Sequence, residues 1–367
     1  MKKTIKNLIL VIVGTLGMME VVASLYYFQK GPHDSPFAVG QLWQGVKMRI
    51  MQSGISEGNR DRLHVHVNDD ELGWSLNPNI TVVADCGESK PIYTIDSNKK
   101  RFIPKPQDSV GQILFLGGAI TFGDCVSDQE AYPAILATEY WKKWDVQNSA
   151  VIGWSTTQAY MMLSRALKSD SPPSLVIYGM TPHHLDGNYL RRTWLASHTG
   201  NGRKQPYFEL MNEELEFQGT VGLSSGIDVG PKLRKKEHEI TSAYLKAMQK
   251  LCAEKNVPFI VILLPPWDRY PLPVMNTLQK SNFLLLDLTE MEYDAPDPDK
   301  ENHLKPTFHR MLATAIANSF VSKMVNNLEK SVKGFPENTS HGGDDFCYRR
   351  KHMQTFFKVC RLRKRNP

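Results

Sequence analysis

Glu301-Asn-His303 is the pair best spaced for chemistry. A carboxylate two residues ahead of an imidazole can orient the ring and stabilise its charged form, as a general base requires. The hydroxyls that such a base could activate are Thr121, Ser127, Ser149 and Ser155. Each sits in a turn or at a helix start, where Ser and Thr more often bond the backbone. His183-His184 follows Pro182 and offers either hydrogen-bond donors or an ordinary turn. His309 reads as a surface histidine of the final helix. None of the five cysteines forms a C-x-x-C pair, so neither a metal nor a cofactor is expected.

The elements that must position these groups alternate. Apolar runs predict strands at Ile113–Leu116, Asp145–Ile152, Leu175–Tyr178, Pro258–Leu264 and Phe283–Leu286. Helical spacing predicts helices at Tyr132–Trp141, Thr157–Leu167, Lys235–Lys255 and His309–Val325. Strands alternating with amphipathic helices argue for a parallel sheet covered on both faces. Residues 31–111, with short strand-like runs at Ile80–Val83 and Ile92–Ile95, read as an N-terminal flap. The alternation lapses between 187 and 234, where Tyr207 to Phe217 looks like a hairpin in an insertion, a lid or partner surface.

Four blocks fall at the carboxyl ends of these strands, where open α/β sheets place ligands. Gly117-Gly-Ala-Ile-Thr-Phe-Gly123 follows the first strand and Asn148-Ser-Ala-Val-Ile-Gly153 the second. Thr181-Pro-His183-His184 follows the third, and Glu301-Asn-His303 precedes the last helix. In order and context they resemble the SGNH/GDSL hydrolases across residues 110–320. The resemblance implies a three-layer α/β/α sandwich with a central, mostly parallel, flavodoxin-like sheet over 112–329.

The resemblance also assigns roles. Its turn reads Gly-Asp-Ser-x-Thr-x-Gly, so Gly118 stands for the Asp and Ala119 for the nucleophilic Ser. An alanine methyl cannot attack a carbonyl. Asn148 matches the second block, Ala150 replaces an oxyanion-hole glycine, and His183 replaces the Asn of the third block, with His184 beside it. His303 with Glu301 keeps the place of the base.

The termini carry the localisation. Lys2, Lys3 and Lys6 precede an apolar run from Leu8 to Phe28 interrupted only by Glu20. That pattern reads as a membrane anchor over 1–30, with the body outside the inner membrane, periplasmic in a bacterium. Val22-Ala23-Ser24 offers the alternative of signal cleavage and secretion. Residues 330–367 read as a polar, partly disordered tail. Its last 21 residues hold eight Lys and Arg and no acid, which leaves the rest of the +6 chain near neutral. There is thus little case for nucleic acid, while anionic lipid is a candidate partner for the tail. Cys347 and Cys360 could close this tail into a loop, and Cys252 reads as a core residue.

Three functions remain open on these residues. The first is an impaired pseudo-hydrolase that binds an envelope polysaccharide, an acylated sugar or an envelope protein. The second is an active esterase, O-acyltransferase or deacetylase with a non-standard nucleophile. The third is a structural envelope protein.

Overall fold

The computed structural model describes residues 65–199, 203–223, 233, 236–265, 270–280, 283–291 and 305–333. The N-terminal apolar run, Glu301, His303, Cys347, Cys360 and the basic tail lie outside the described residues. Among the described residues no helix is long and apolar enough to cross a membrane.

Two short antiparallel hairpins come first, β1 (His66–Asp69) with β2 (Gly73–Leu76), and β3 (Ile80–Val83) with β4 (Ile92–Ile95). β5 (Gln112–Gly117) runs into the single-turn helix α1 (Ala119–Phe122). α2 (Tyr132–Ile135) follows and widens into a π-helical turn through Tyr140. β6 (Asp145–Asn148), α3 (Thr156–Leu167) and β7 (Leu175–Met180) continue the alternation. Between β7 and the next long helix lie α4 (His183–Asn188), α5 (Arg192–His198) and a hairpin of β8 (Gln205–Met211) and β9 (Glu214–Val221). The chain resumes with α6 (Glu237–Glu254), β10 (Phe259–Leu263), α7 (Leu272–Lys280) and β11 (Leu284–Asp287). α8 (Pro306–Ala317) and α9 (Phe320–Lys333) close the described chain.

The main sheet has the order β11-β10-β7-β5-β6, with all four pairings parallel. Numbered along the chain the order is 2-1-3-4-5, a doubly wound sheet whose winding reverses between β5 and β7. A parallel sheet is buried on both sides, which is why its strands read as apolar runs. Alternate residues feed opposite layers. Leu114, Leu116, Val176, Tyr178, Val261 and Leu263 pack under α3, α6 and α7. Ile113, Phe115, Ile177, Ile260 and Ile262 pack under α2, α8 and α9. Helices therefore cover both faces of the sheet, as expected.

Two sequence expectations shift in detail, and the expected hairpin keeps its place. The second strand ends at Asn148, although bonds to β5 continue past it: Ser149 N donates to Phe115 O (2.9 Å) and Val151 N to Gly117 O (3.2 Å). The final helix breaks at Asn318–Ser319, where the Ser319 hydroxyl accepts the Val321 amide at 3.1 Å and starts α9 afresh. The hairpin turns on Asn212 and Glu213, both with positive φ (50° and 68°), the two-residue turn that matches strand twist.

The segment read as a flap has a core of its own. Val65, Leu72, Trp74, Leu76, Tyr93 and Ile95 pack against Phe122, Ala150, Val151 and Trp154. Backbone bonds fix it to the main sheet as well, since Arg101 N donates to Asn148 O (3.0 Å) along the outer edge of β6. A disulfide between Cys86 and Cys125 ties the same segment to the turn after α1, and Cys252 is a buried free thiol as expected. The two half-cystines are 39 residues apart. Closing a loop of that length stabilises by about 4 kcal/mol in the chain-entropy picture. Urea unfolding of the Cys125→Ser chain against wild type should show a loss of that order; an unchanged midpoint would mean the bridge is not formed.

Candidate functional site

The winding reversal leaves a crevice beyond the carboxyl ends of β5 and β7, and the first three of the expected blocks follow the strands that form it. Gly117 ends β5, and α1 begins at Ala119, which is half-buried and carries only a methyl group. Gly123 closes the turn in the left-handed region (φ 86°).

Arg101 holds this turn from behind. Its side chain is wholly buried, with Nη1 donating to the carbonyls of Phe122 (3.1 Å) and Gly123 (2.8 Å) and Nη2 to those of Val126 (2.6 Å) and Ile92 (3.3 Å). Nε pairs with Asp128 at 2.8 Å, and Asp128 also accepts the Thr94 amide. The guanidinium also lies over the rings of Tyr93 and Phe122, 4.2 and 4.5 Å from their centres. The run Lys99-Lys100-Arg101 gives no hint of this, because a cluster of charges ordinarily marks a solvated face.

Asn148 works on the same turn. Its Nδ2 donates to Thr121 O at 2.8 Å, and its Oδ1 accepts the Ala150 amide at 3.1 Å. The amide expected in an oxyanion hole is thus bonded to a neighbouring side chain, and Ala150 is fully buried. Asn148 and Ala150 shape the crevice wall and do not face into it.

His184 and Gly118 meet. A Cβ on Gly118 would lie 2.6 Å from His184 Nε2, so the imidazole takes the room that a side chain at 118 would need. From behind, His184 Nδ1 bonds the Tyr178 hydroxyl (2.8 Å), and Tyr178 donates on to Thr156 Oγ1 (3.0 Å). Asn188 Nδ2 joins Thr156 to Thr241 on α6, both at 3.0 Å. Burial, with the charge of His183 second, lowers the His184 pKa to about 3, so the ring is neutral. His183 itself is exposed on the first turn of α4.

Three of the four alternative hydroxyls are hydrogen-bonded within the fold. Thr121 bonds the Tyr132 hydroxyl in the interior (3.0 Å). Ser155 caps α3 and bonds Gln158 (2.7 Å) and Gln205 (3.1 Å). Ser127 accepts the Ile92 amide (3.2 Å), and Ser149 is buried. His309 is buried too, not a surface residue: its Nδ1 accepts the Tyr132 amide (3.2 Å) and its ring stacks on Tyr132. α8 is therefore anchored, through Tyr132 and Thr121, to the α1 turn.

A five-stranded parallel sheet of this order, covered by helices on both faces, defines a three-layer α/β/α sandwich. No family model matches the chain, and no curated protein matches it in sequence. Solved structures are similar to it at low identity. The esterase EstA from Pseudoalteromonas sp. is 14% identical, over 59% of this chain and 100% of that one, with a TM-score of 0.36. A carbohydrate acetylesterase family member from Sinorhizobium meliloti is 9% identical over 60% and 99%, with a TM-score of 0.37. A member of the lipolytic protein G-D-S-L family from Veillonella parvula DSM 2008 is 13% identical over 57% and 97%, with a TM-score of 0.35.

Burial lowers the His309 pKa to about 3 as well. Both rings stay neutral in the fold, while in the unfolded chain they take up protons near the ordinary value of about 6.5. Between these limits the unfolded state binds more protons, so stability rises with pH. Urea unfolding should show each histidine removing about 2 kcal/mol at about pH 5 relative to neutral pH; a flat response would show that the rings are not enclosed. Gly118→Asp should destabilise by about 1–3 kcal/mol through the collision with His184, and Gly118→Asp combined with His184→Ala should recover part of that loss in the same assay.

Proposed function

We propose that this chain is a catalytically silent protein of the hydrolase fold, which binds its ligand beside the α1 turn without cleaving it. The observation that carries this reading is the pairing of Ala119 with the Gly118–His184 contact. The attacking oxygen is missing, and the neighbouring space is filled by a neutral histidine. Bonding of the Ala150 amide to Asn148 supports the same reading, because oxyanion stabilisation needs donors that are free to meet developing charge.

The ligand in this proposal is a glycan, an acyl ester or a protein of the cell envelope. Lys2, Lys3 and Lys6 ahead of an apolar run support a body outside the cytoplasm, held by an inner-membrane anchor. The Cys86–Cys125 bridge supports this placement, since such bonds persist in oxidising compartments. In this reading His303 and Glu301 are relics of a base with nothing to deprotonate.

Hydrolysis of p-nitrophenyl acetate tests the proposal. Wild type and His303→Ala should turn over alike, at the buffer rate, and a fluorophosphonate should label no residue. Ala119→Ser should stay within about tenfold of wild type, because losing one triad member already leaves only a residual rate and here the hole is altered too. Wild-type turnover abolished by His303→Ala would establish an active enzyme with another nucleophile. A gain of several orders of magnitude in Ala119→Ser would show that only the oxygen had been lost.

A further inference from the structure

The crevice turn is followed at once by a second left-handed residue. Gly123 closes α1 at φ 86°, and two residues on Cys125 takes φ 62°. Glycine adopts such a backbone freely, whereas a residue with a Cβ is strained there. The strained residue is held on two sides. Its amide donates to the Tyr93 hydroxyl at 2.6 Å, and its sulfur is joined to Cys86 in the loop between β3 and β4. Tyr93, on β4, donates in turn to Asp124 Oδ1 at 3.0 Å. Beside the Arg101 contacts, the N-terminal segment thus grips the exit of the turn with one hydroxyl and one covalent bond.

The grip reaches Ala119. Asp124, the residue before Cys125, donates its amide to Ala119 O at 3.0 Å, and the Gly123 amide shares that acceptor at 3.0 Å. Access to the two sulfurs is unequal. Cys86 is half-buried in a loop whose next four residues are exposed, while Cys125 is 4% exposed. A thiolate from outside therefore meets Cys86 first, and Cys125 becomes the leaving group. Asp124 Oδ1 lies 3.8 Å from Cys125 Sγ, within reach of the thiol proton that a broken bridge acquires. That proton competes with the Tyr93 hydroxyl for the same oxygen, so breaking the bond loosens the second hold as well.

We infer that the Cys86–Cys125 bridge is a redox switch on the crevice turn, set by oxidation and released by a dithiol protein. Thiolate attack on Cys86 Sγ breaks the S–S bond and expels Cys125 as a thiolate, which takes up the proton the attacking thiol gave up. The second thiol of the reductant then attacks the mixed disulfide and frees Cys86. The chain gains two hydrogens, and the reductant leaves as its own disulfide. Cys125 is then free to leave the left-handed region, which moves the Asp124 amide and changes the bonding of Ala119 O. The purpose of the switch rests on the reading above that this crevice binds a ligand, since a released turn changes the wall the ligand meets.

The test is hydrogen exchange of the full chain, oxidised and after dithiothreitol treatment without denaturant, with alkylated cysteines mapped by mass. Cys86 and Cys125 should both become alkylated, while the buried Cys252 stays unlabelled. Amides of residues 119–126 should exchange about tenfold faster or more after reduction, with those of β7 and β10 unchanged, because the opening is local. Reoxidation should restore the slow rates, and Cys86→Ser should exchange like the reduced chain with or without dithiothreitol. A bridge that resists dithiothreitol without denaturant would overturn the inference. So would unchanged exchange at 119–126 once both thiols are labelled, since the bond would then be a staple only. Faster exchange throughout the sheet would overturn it too, because reduction would then unfold the chain and not merely release the turn. Ester turnover by the oxidised chain would sink the proposed silence and leave the exchange result intact, so the two failures are distinguishable.

Discussion

The buried guanidinium of Arg101 is the constraint on which the region around the turn depends. It gathers four backbone carbonyls and the Asp128 carboxylate, and two aromatic rings close over it. Those carbonyls belong to β4, to the end of α1 and to the loop beyond it, so one side chain fixes the N-terminal segment and the crevice turn in a single geometry. Withdrawing one member of a buried ion pair typically costs about 3–5 kcal/mol, because the remaining charge stays desolvated. The short α1 helix, with one turn and no side-chain cap, depends on such outside donors to the carbonyls at its end.

The turn also has a frame that does not depend on a nucleophile. The backbone path from β5 through Gly123 needs its glycines and its Asn148 bonds whether or not a nucleophile is present. Gly118 and His184 are complementary in space, the one without a side chain and the other supplying an imidazole anchored on Tyr178. The interior polar chain from His184 to Thr241 is bonded at each step described, so the ring is part of the fold's architecture.

How much of this was legible follows from the range of each signal. The parallel strands could be read because double-sided burial writes a continuous apolar run into adjacent residues. The hairpin at Asn212–Glu213 was legible for a similar local reason. Arg101 was not, since its partners are distant in the chain and its two lysine neighbours imitate a surface patch. Nor was the Cys86–Cys125 bridge, because spacing alone does not determine pairing. At the site, Ala119 and Gly118 were legible as departures from a pattern. The bonding of the Ala150 amide and the meeting of His184 with Gly118 depend on side-chain directions that no block of sequence contains.

The backbone bond between Arg101 and Asn148 has a further consequence. β6 is a border strand of the main sheet, and an uncovered border is a template on which a second chain can add a strand. The N-terminal segment lies along it, with the Lys100 ammonium bonded to Gln147 beside the backbone pairing. The same residues that brace the crevice therefore guard the protein against self-association, and shortening the chain past Arg101 would remove a solubility device along with a structural one.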